Sequence, residues 1–152
     1  MRAVSYEQAL NRMATYCSRS EKCIQDVRKK LDLWEIPPQE QTRIVQSLQK
    51  EKFLDEDRYA SAFVRDKARF NGWGVHRIRL ELKKRNLPTE VINNALLQLN
   101  PEETLTRLTD LLTKKSKSIT AKTEWEAKQK LMRFALSRGF SLEETEKAMR
   151  EL

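Results

Sequence analysis

Residues 55–99 read DEDRYASAFVRDKARFNGWGVHRIRLELKKRNLPTEVINNALLQL, in which the motifs NGWG and NLP separate three helical segments. Asp55 is a favourable helix N-cap, and the two acids that follow it lie where the helix dipole favours negative charge. Gly72 can take a positive φ and so end the first segment, Gly74 permits a tight start of the second, and Pro88 suits the first position of the third. The stretch therefore predicts a unit of three helices.

The same arrangement occurs on both sides of this stretch. In each of the three units a hydrophobic residue follows the last break, and these residues, Ile36, Leu87 and Phe140, lie 51 and 53 positions apart. A period near 50 residues indicates an internal repeat. Because such a unit is near the lower size limit for burying a core, neighbouring units should pack on one another. We therefore predict an all-α fold of three tandem three-helix repeats in an elongated or curved array, with the repeats at residues 1–54, 55–100 and 101–152.

Helix-start signals also mark the outer units. Ser5 with Gln8, and Ser141 with Glu144, have the spacing of a capping box. The Asn-Pro pair at 100–101, followed by two glutamates, supplies an N-cap, a proline in the first turn and favourable charge. The first helices of the three repeats are therefore predicted at about 5–18, 56–70 and 102–115.

Apolar residues along these helices predict the core. Leu105, Leu108 and Leu112 repeat at intervals of three and four, which is the spacing of a buried helix face. Trp73, held between two glycines, either covers the core of the middle repeat or is presented to a partner, and we favour the first position. A second apolar row, on the first helix of the middle repeat, is also expected in the core and consists of Tyr59, Phe63 and Phe70.

Composition argues against several classes of protein. The chain has 152 residues with only three glycines and four prolines, too few for the turns of a β-sandwich or the loops of a nucleotide-binding α/β fold. Its two cysteines, Cys17 and Cys23, lack companions at metal-ligand spacing, so we expect two reduced thiols. No five apolar residues occur in succession, whereas a membrane span needs about 20. We therefore expect a soluble, cytoplasmic protein without a metal or cofactor.

Positive charge is concentrated in the middle repeat. The segment between Phe63 and Leu87 contains eight basic and two acidic residues, a net charge of +6 out of the +8 of the whole chain. If Ile78 and Leu82 face the core, the helical period places basic residues on the outward face, with Leu80 exposed among them. Such a face attracts a polyanion, whether nucleic acid, an acidic protein surface or anionic lipid, although it would also serve solubility alone. The basic residues are Arg65, Lys67, Arg69, Arg77, Arg79, Lys83, Lys84 and Arg85.

The middle of this sequence contains a combination of motifs, which are FLDEDRYA at 53–60, AFVR at 62–65, GWG at 72–74 and RI at 77–78 with EL at 81–82. This combination resembles the central signature of the RecX family of regulatory proteins. The flanks agree, since SRSE at 18–21 resembles the first unit of the family and FALSRGF at 134–140 the last. The first break, at 33–38, lacks the frequent glycine of the family, which leaves its turn geometry open. The signature positions here are Asp55, Asp57, Arg58, Tyr59, Phe63, Gly72, Trp73, Gly74, Ile78 and Leu82.

The resemblance implies a function as well as a fold. RecX proteins are bacterial modulators of the recombinase RecA, so the resemblance implies that this chain binds RecA and the RecA–DNA filament, chiefly in the filament groove. It also implies inhibition of strand exchange, ATP hydrolysis and co-protease activity, and thereby an effect on DNA repair and the SOS response. We expect a monomer whose partner surface includes the eight basic residues and Leu80.

Two other functions compete with this one. Three-helix units with a basic helix resemble helix-turn-helix modules, so the alternative is a non-specific DNA-binding module that acts without RecA. The third helix of the middle repeat, at 88–99, contains no Lys or Arg, which disfavours sequence-specific reading. An enzyme is disfavoured because the chain has a single histidine, His76, and lacks a glycine-rich phosphate loop and a nucleophile motif. Asp55 and Asp57 are interpreted as helix-start charges rather than as a catalytic carboxylate pair.

Overall fold

The architecture is that of a computed structural model of the chain, which describes residues 3–152. These residues form nine α-helices and no β-strand, in three consecutive groups of three, which confirms the predicted all-α repeat fold. None of these helices is both long enough and apolar enough to cross a membrane. The helices are α1 (Tyr6–Arg19), α2 (Ile24–Leu33), α3 (Pro38–Lys50), α4 (Glu56–Phe70), α5 (Val75–Lys84), α6 (Thr89–Leu96), α7 (Pro101–Ser116), α8 (Glu124–Ser137) and α9 (Leu142–Arg150).

Local sequence fixes most helix starts as predicted. The Ser5 hydroxyl accepts a hydrogen bond from the Gln8 N–H at 3.2 Å, while the Gln8 side chain accepts one from the Ser5 N–H at 3.0 Å. Ser141 and Glu144 form the second capping box. Pro88 differs from expectation, because it is the N-cap of α6 rather than its first helical residue. Side-chain caps on α4, α7 and α8 come from Asp55, Asn100 and Thr123.

Each repeat has its own hydrophobic core. Met13 is among the buried residues of the first core, and Ile78 and Leu82 are fully buried in the middle one. The third core contains Leu108 and Leu112, as their spacing predicted. Burial of one such side chain is worth about 1.5–3 kcal/mol. Each repeat therefore derives much of its stability from contacts within about 50 residues of sequence.

The two cysteines belong to different cores. Both are free, buried thiols. Cys17 packs in the core of the first repeat, whereas Cys23, the N-cap of α2, is fully buried in the core of the middle repeat. Burial raises the pKa of the Cys23 thiol to about 11, so this thiol is protonated at neutral pH.

One left-handed residue follows the second helix of every repeat. The value of φ is +56° at Glu35, +60° at Asn86 and +96° at Gly139, and these positions are equivalent in the three repeats. Glycine adopts this conformation freely and asparagine tolerates it, whereas it costs other residues about 1–2 kcal/mol. The first repeat, which has no glycine at this break, therefore keeps the shared turn geometry at the expense of strain at Glu35.

The prediction that Phe70 belongs to the core is wrong. Phe63 is buried and Tyr59 packs against it, but Phe70 is 82% exposed. Phe70 is the last residue of α4, and after the turn Trp73 packs against Phe63, with ring centroids 6.2 Å apart. The chain reverses at Gly72, so Trp73 and not Phe70 is the third member of the aromatic row. Phe70 remains exposed to solvent.

Side chains join the first repeat to the middle one. The Glu56 carboxylate accepts a hydrogen bond from the Ile24 N–H, at the start of α2, at 3.2 Å. Arg58 and Glu21 form an ion pair with Nε and Oε2 2.7 Å apart. Burial raises the pKa of Glu56, because a half-buried carboxylate loses hydration. The ionisation of Glu56 is therefore part of the contact between these two repeats.

Backbone groups join the middle repeat to the third. The Gly74 N–H donates to the Arg138 carbonyl at 2.7 Å, and the His76 N–H donates to the Gly139 carbonyl at 3.0 Å. The C-terminal end of α8 thus satisfies the N-terminal end of α5. A Cβ on Gly74 would lie 2.5 Å from the backbone of Gly139. The predicted tight start of α5 is therefore a close approach that only glycine allows.

Candidate partner-binding surface

An aromatic cluster lies beside the predicted basic residues of the middle repeat. Tyr59, Phe63 and Trp73 pack in a row, with centroid distances of 6.0 Å and 6.2 Å between successive rings. Trp73 is partly buried and packs against the middle core, in agreement with its predicted position over that core. The remaining ring faces are available to cations.

Three of the predicted cations lie over these rings. The Lys67 Nζ atom is 5.0 Å from the centroid of Trp73, and the Arg77 Cζ atom is 4.3 Å from it. The Arg85 Cζ atom lies 4.9 Å from the centroid of Phe63. A cation–π contact contributes about 0.5–1 kcal/mol at an exposed site. These three side chains are therefore held at defined positions instead of moving freely in solvent.

Polar partners hold Arg85 as well as two of the other basic groups. Arg85 Nη1 lies 3.1 Å from the Glu81 carboxylate, and Lys84 Nζ lies 3.5 Å from it. Hydrogen bonding to Arg85 lowers the pKa of Glu81, so Glu81 is ionised at neutral pH. Arg79 Nη1 donates to the Asn93 side chain of α6 at 2.6 Å. Part of the positive charge counted in the sequence is therefore neutralised within the repeat.

The solvent-facing side of α5 is positively charged and carries one apolar side chain. Ile78 and Leu82 are fully buried, so the opposite side of the helix faces solvent, where Leu80 is 53% exposed. An apolar group among cations combines long-range attraction with short-range contact toward an acidic partner. We define the α5 surface as the exposed residues His76, Leu80, Lys83 and Lys84 with the partly exposed Arg77 and Arg79.

Two of the predicted cations, Arg65 and Arg69, lie apart from the α5 surface. They line a groove on the flank of α4 that faces α7, together with Arg107. Lys114 and Arg138 line the same groove. Arg107, Lys114 and Arg138 fall outside the predicted partner surface. Arg107 and Lys114 belong to α7 and Arg138 is the C-cap of α8, so they reach α4 only through the packing of two repeats.

The signature residues of the sequence have identifiable structural positions. Asp55 accepts the Arg58 N–H at the start of α4, and Gly72 takes a φ of +64°. Asp57 is exposed in the first turn of α4. Burial raises the pKa of Tyr59 to about 12. The other signature residues lie in the middle core, against it, or at the joint with the third repeat, and are Phe63, Trp73, Gly74, Ile78 and Leu82.

Family models match two of the three repeats. Residues 55–96 match the model described as RecX, second three-helix domain, and residues 102–149 match the model described as RecX, third three-helix domain. The first match spans the aromatic cluster and the α5 surface. The second spans α7, α8 and α9.

Two known proteins illustrate how similar this chain is to others in sequence. Regulatory protein RecX of Yersinia pseudotuberculosis is 32% identical over 110 residues, covering 72% of this chain and 59% of the relative. Regulatory protein RecX of Enterococcus faecalis is 26% identical over 151 residues, covering 99% of this chain and 57% of the relative. The chain thus spans less than two thirds of the length of these relatives.

Solved structures share the whole arrangement of helices. A crystal structure of regulatory protein RecX has a TM-score of 0.89 at 25% identity, covering 95% of this chain and 73% of that one. The crystal structure of RecX from Lactobacillus salivarius has a TM-score of 0.87 at 20% identity, covering 97% of this chain and 96% of that one. Together with the two matched domains and the curated relatives, this likeness shows that the chain belongs to the RecX family of regulatory proteins.

Proposed function

We propose that this chain binds RecA and the RecA–DNA filament and inhibits the recombinase, ATPase and co-protease activities of RecA, and so modulates DNA repair and the SOS response. Membership of a family of regulatory proteins supports a regulatory role. The observation that carries the choice of surface is Leu80, 53% exposed and surrounded by cations on α5. Relatives are longer than this chain, and the proposal concerns the three repeats present in it.

The α5 surface supplies two kinds of interaction with an acidic partner. Lys83 and Lys84 are exposed and attract negative charge at a distance, which raises the association rate and makes it depend on salt. Leu80 buries apolar area on contact, which slows dissociation. A helix of 15 residues such as α4 is about 22 Å long, so three repeats in tandem reach more than one protomer of a filament. Such bridging would oppose extension of the filament or favour its disassembly.

Inhibition of the DNA-dependent ATPase of RecA tests this proposal. We expect Lys83→Ala/Lys84→Ala to raise the concentration for half-maximal inhibition by about 3- to 10-fold, because two exposed charges contribute modestly each. Adding Leu80→Ser should weaken inhibition further. The measurement is a titration of the protein into RecA at constant DNA and two salt concentrations.

The matched control is Lys29→Ala/Lys50→Ala, which removes the same charge from exposed positions of the first repeat. Inhibition that is equally sensitive to both pairs would show that net charge matters and not the α5 surface. A wild-type protein without effect on the ATPase would overturn the proposed function itself. Equally tight binding to DNA with and without RecA would favour the alternative of a DNA-binding module.

A further inference from the structure

A pocket with aromatic and basic walls lies in the first repeat, between α1 and the C-terminal end of α2. It has a volume of about 270 Å³. Its rings come from Tyr16 of α1 and from Trp34, the C-cap of α2, and the buried Met13 adds an apolar side chain. We call it the α1–α2 pocket, and its cations are Arg12, Arg19 and Lys30.

The three cations of this pocket are not neutralised by acidic side chains. All three are exposed to solvent. None of them forms an ion pair within residues 3–152. Over the same part of the chain, no aspartate or glutamate lines the pocket. The α1–α2 pocket therefore attracts negatively charged groups.

Two of the cations are held against the aromatic rings of the pocket. The Arg12 Cζ atom is 5.5 Å from the ring centroid of Trp34, and the Lys30 Nζ atom is 4.9 Å from that of Tyr16. A cation held over a ring still has N–H groups with which to bind a carboxylate. The positions of these charges are thus set before a partner binds, which lowers the entropic cost of binding.

Helix stability accounts for two of the cations but not for the third. Arg19 and Lys30 lie in the last turns of α1 and α2, where the helix dipole favours positive charge. Arg12 lies in the middle of α1 and gains nothing from the dipole, and its contact is the ring of Trp34. The pocket thus gathers more positive charge than the two helix ends require.

The size and the rings of the pocket favour a peptide side chain over a small cofactor or a nucleobase. Sites that enclose small-molecule ligands range from about 300 to 1,000 Å³, and this pocket, at about 270 Å³, is smaller. A base stacks on an open ring face, whereas cations already lie over Tyr16 and Trp34. One apolar side chain flanked by carboxylates would match both the apolar walls and the exposed cations.

We propose that the α1–α2 pocket binds an acidic peptide segment of a partner protein. One aromatic side chain of the segment lies beside Trp34, and the carboxylates that flank it pair with the three cations of the pocket. The carboxylates supply long-range attraction, and the inserted ring supplies apolar contact area. The proposal does not rest on inhibition of RecA, because the pocket lies in the first repeat and shares no residue with the α5 surface.

NMR titration of the full chain with a synthetic peptide tests the proposal. The peptide has one central phenylalanine with three glutamates on each side. The indole N–H signals of Trp34, Trp73 and Trp125, the three tryptophans of the chain, report where it binds. We expect the Trp34 signal to shift with added peptide and the other two to stay in place. Replacing the phenylalanine of the peptide by alanine should weaken binding about 10-fold, because the apolar contact is lost.

Arg12→Ala/Lys30→Ala should weaken binding of the peptide by about 3- to 10-fold, because each exposed ion pair contributes modestly. The matched control is Lys29→Ala/Arg43→Ala, which also removes one lysine and one arginine from exposed positions of the first repeat. The Arg43 Cζ atom lies 4.9 Å from the ring centroid of Tyr6, so the control also loses a cation–π contact, but outside the pocket. Circular dichroism of each variant checks that the helical fold is kept.

The outcomes separate this site from the proposed function. A shift of Trp34, with affinity lost in the pocket variant and kept in the control, would support the pocket even if the protein failed to inhibit RecA. Equal losses in the two variants would overturn it, and so would a Trp34 signal that does not respond to the peptide. A 20-residue oligo(dT) that shifts Trp34 at lower concentration than the peptide would also overturn it, in favour of nucleic acid as the occupant.

Discussion

Glu35, Asn86 and Gly139 place three residue types in one left-handed turn position. In each repeat this turn leads into the third helix, which packs against the first, so the three turns share one backbone conformation. The steric strain differs among them: Gly139 is unstrained, Asn86 is slightly strained, and Glu35 is strained because a Cβ is unfavourable at positive φ. The first repeat is thus the one with a removable strain at this turn.

We expect Glu35→Gly to raise the free energy of unfolding by about 0.5–1 kcal/mol, because relief of the left-handed strain exceeds the extra flexibility of glycine in the unfolded chain. Urea denaturation followed by circular dichroism measures the change. The control Gln46→Gly lies at an exposed position inside α3 and should lower stability by about 1 kcal/mol. A Glu35→Gly variant no more stable than the natural chain would contradict the strain argument.

Phe70 and Trp73 show what helical periodicity predicts and where it stops. Spacing along α4 correctly places Phe63 in the core and puts Phe70 on the same side. Periodicity applies only while the helix continues, and α4 ends at Phe70. Which aromatic residue reaches the core after the turn depends on the path of the backbone through that turn. The spacing of apolar residues along α4 does not predict that path.

At the scale of helices, α5 differs from its neighbours in which groups accept hydrogen bonds from the backbone N–H groups at its start. Its first turn has no acidic residue and its N-cap is glycine. The carbonyl groups at the end of α8 supply the missing acceptors, from more than 60 residues further along the chain. Capping boxes such as that of Ser5 and Gln8 are predictable because both partners are three residues apart. Gly74 in the sequence predicts where α5 starts. It does not predict that the Arg138 and Gly139 carbonyl groups accept the hydrogen bonds there.

We expect Gly74→Ala to destabilise the protein by about 1–3 kcal/mol, because the added Cβ would lie 2.5 Å from backbone atoms that cannot rotate away. Hydrogen exchange of the His76 amide should become faster, since its bond to the Gly139 carbonyl would lengthen. Ile92→Val is the control, because it weakens the middle core by removing a buried methyl group without touching this joint. Equal exchange at His76 in both variants would show that the joint is not the site of the change.

At the scale of the whole molecule, the two joints between repeats are chemically different. The joint with the third repeat includes backbone hydrogen bonds, which do not titrate, and the joint with the first repeat includes the carboxylate of Glu56. The order of repeats was predictable from sequence because each repeat folds on local patterns. The joints were not, because their partners are separated by 32 residues or more. The same limit applies to the groove on the flank of α4 that faces α7.

The pKa of Glu56 predicts how stability responds to pH. Its folded-state pKa is raised by burial, so the folded protein keeps this proton at a pH where the unfolded chain has lost it. The stabilising contribution is fully present below the ordinary value of about 4.3 and is lost as pH rises through the raised value. We expect the stability of Glu56→Gln relative to the natural chain to increase as pH rises from about 4 to 7.

Urea denaturation at several pH values measures this difference. Glu51→Gln, which removes an exposed carboxylate outside the joint, is the matched control. A relative stability of Glu56→Gln that stays constant over this range would show that burial of Glu56 has no energetic effect on the joint.

Cys23 gives the middle repeat a dependence on its neighbour. Cys23 belongs to the first repeat in sequence, but its side chain is fully buried in the core of the middle repeat. Packed interiors tolerate changes of volume poorly. Transplanting a foreign first repeat onto residues 55–152 would therefore preserve the middle core only if the donor also offered a small, apolar residue at this place. A chimaera that is to keep the natural middle core should therefore be joined upstream of residue 23, well before the boundary suggested by the repeat pattern.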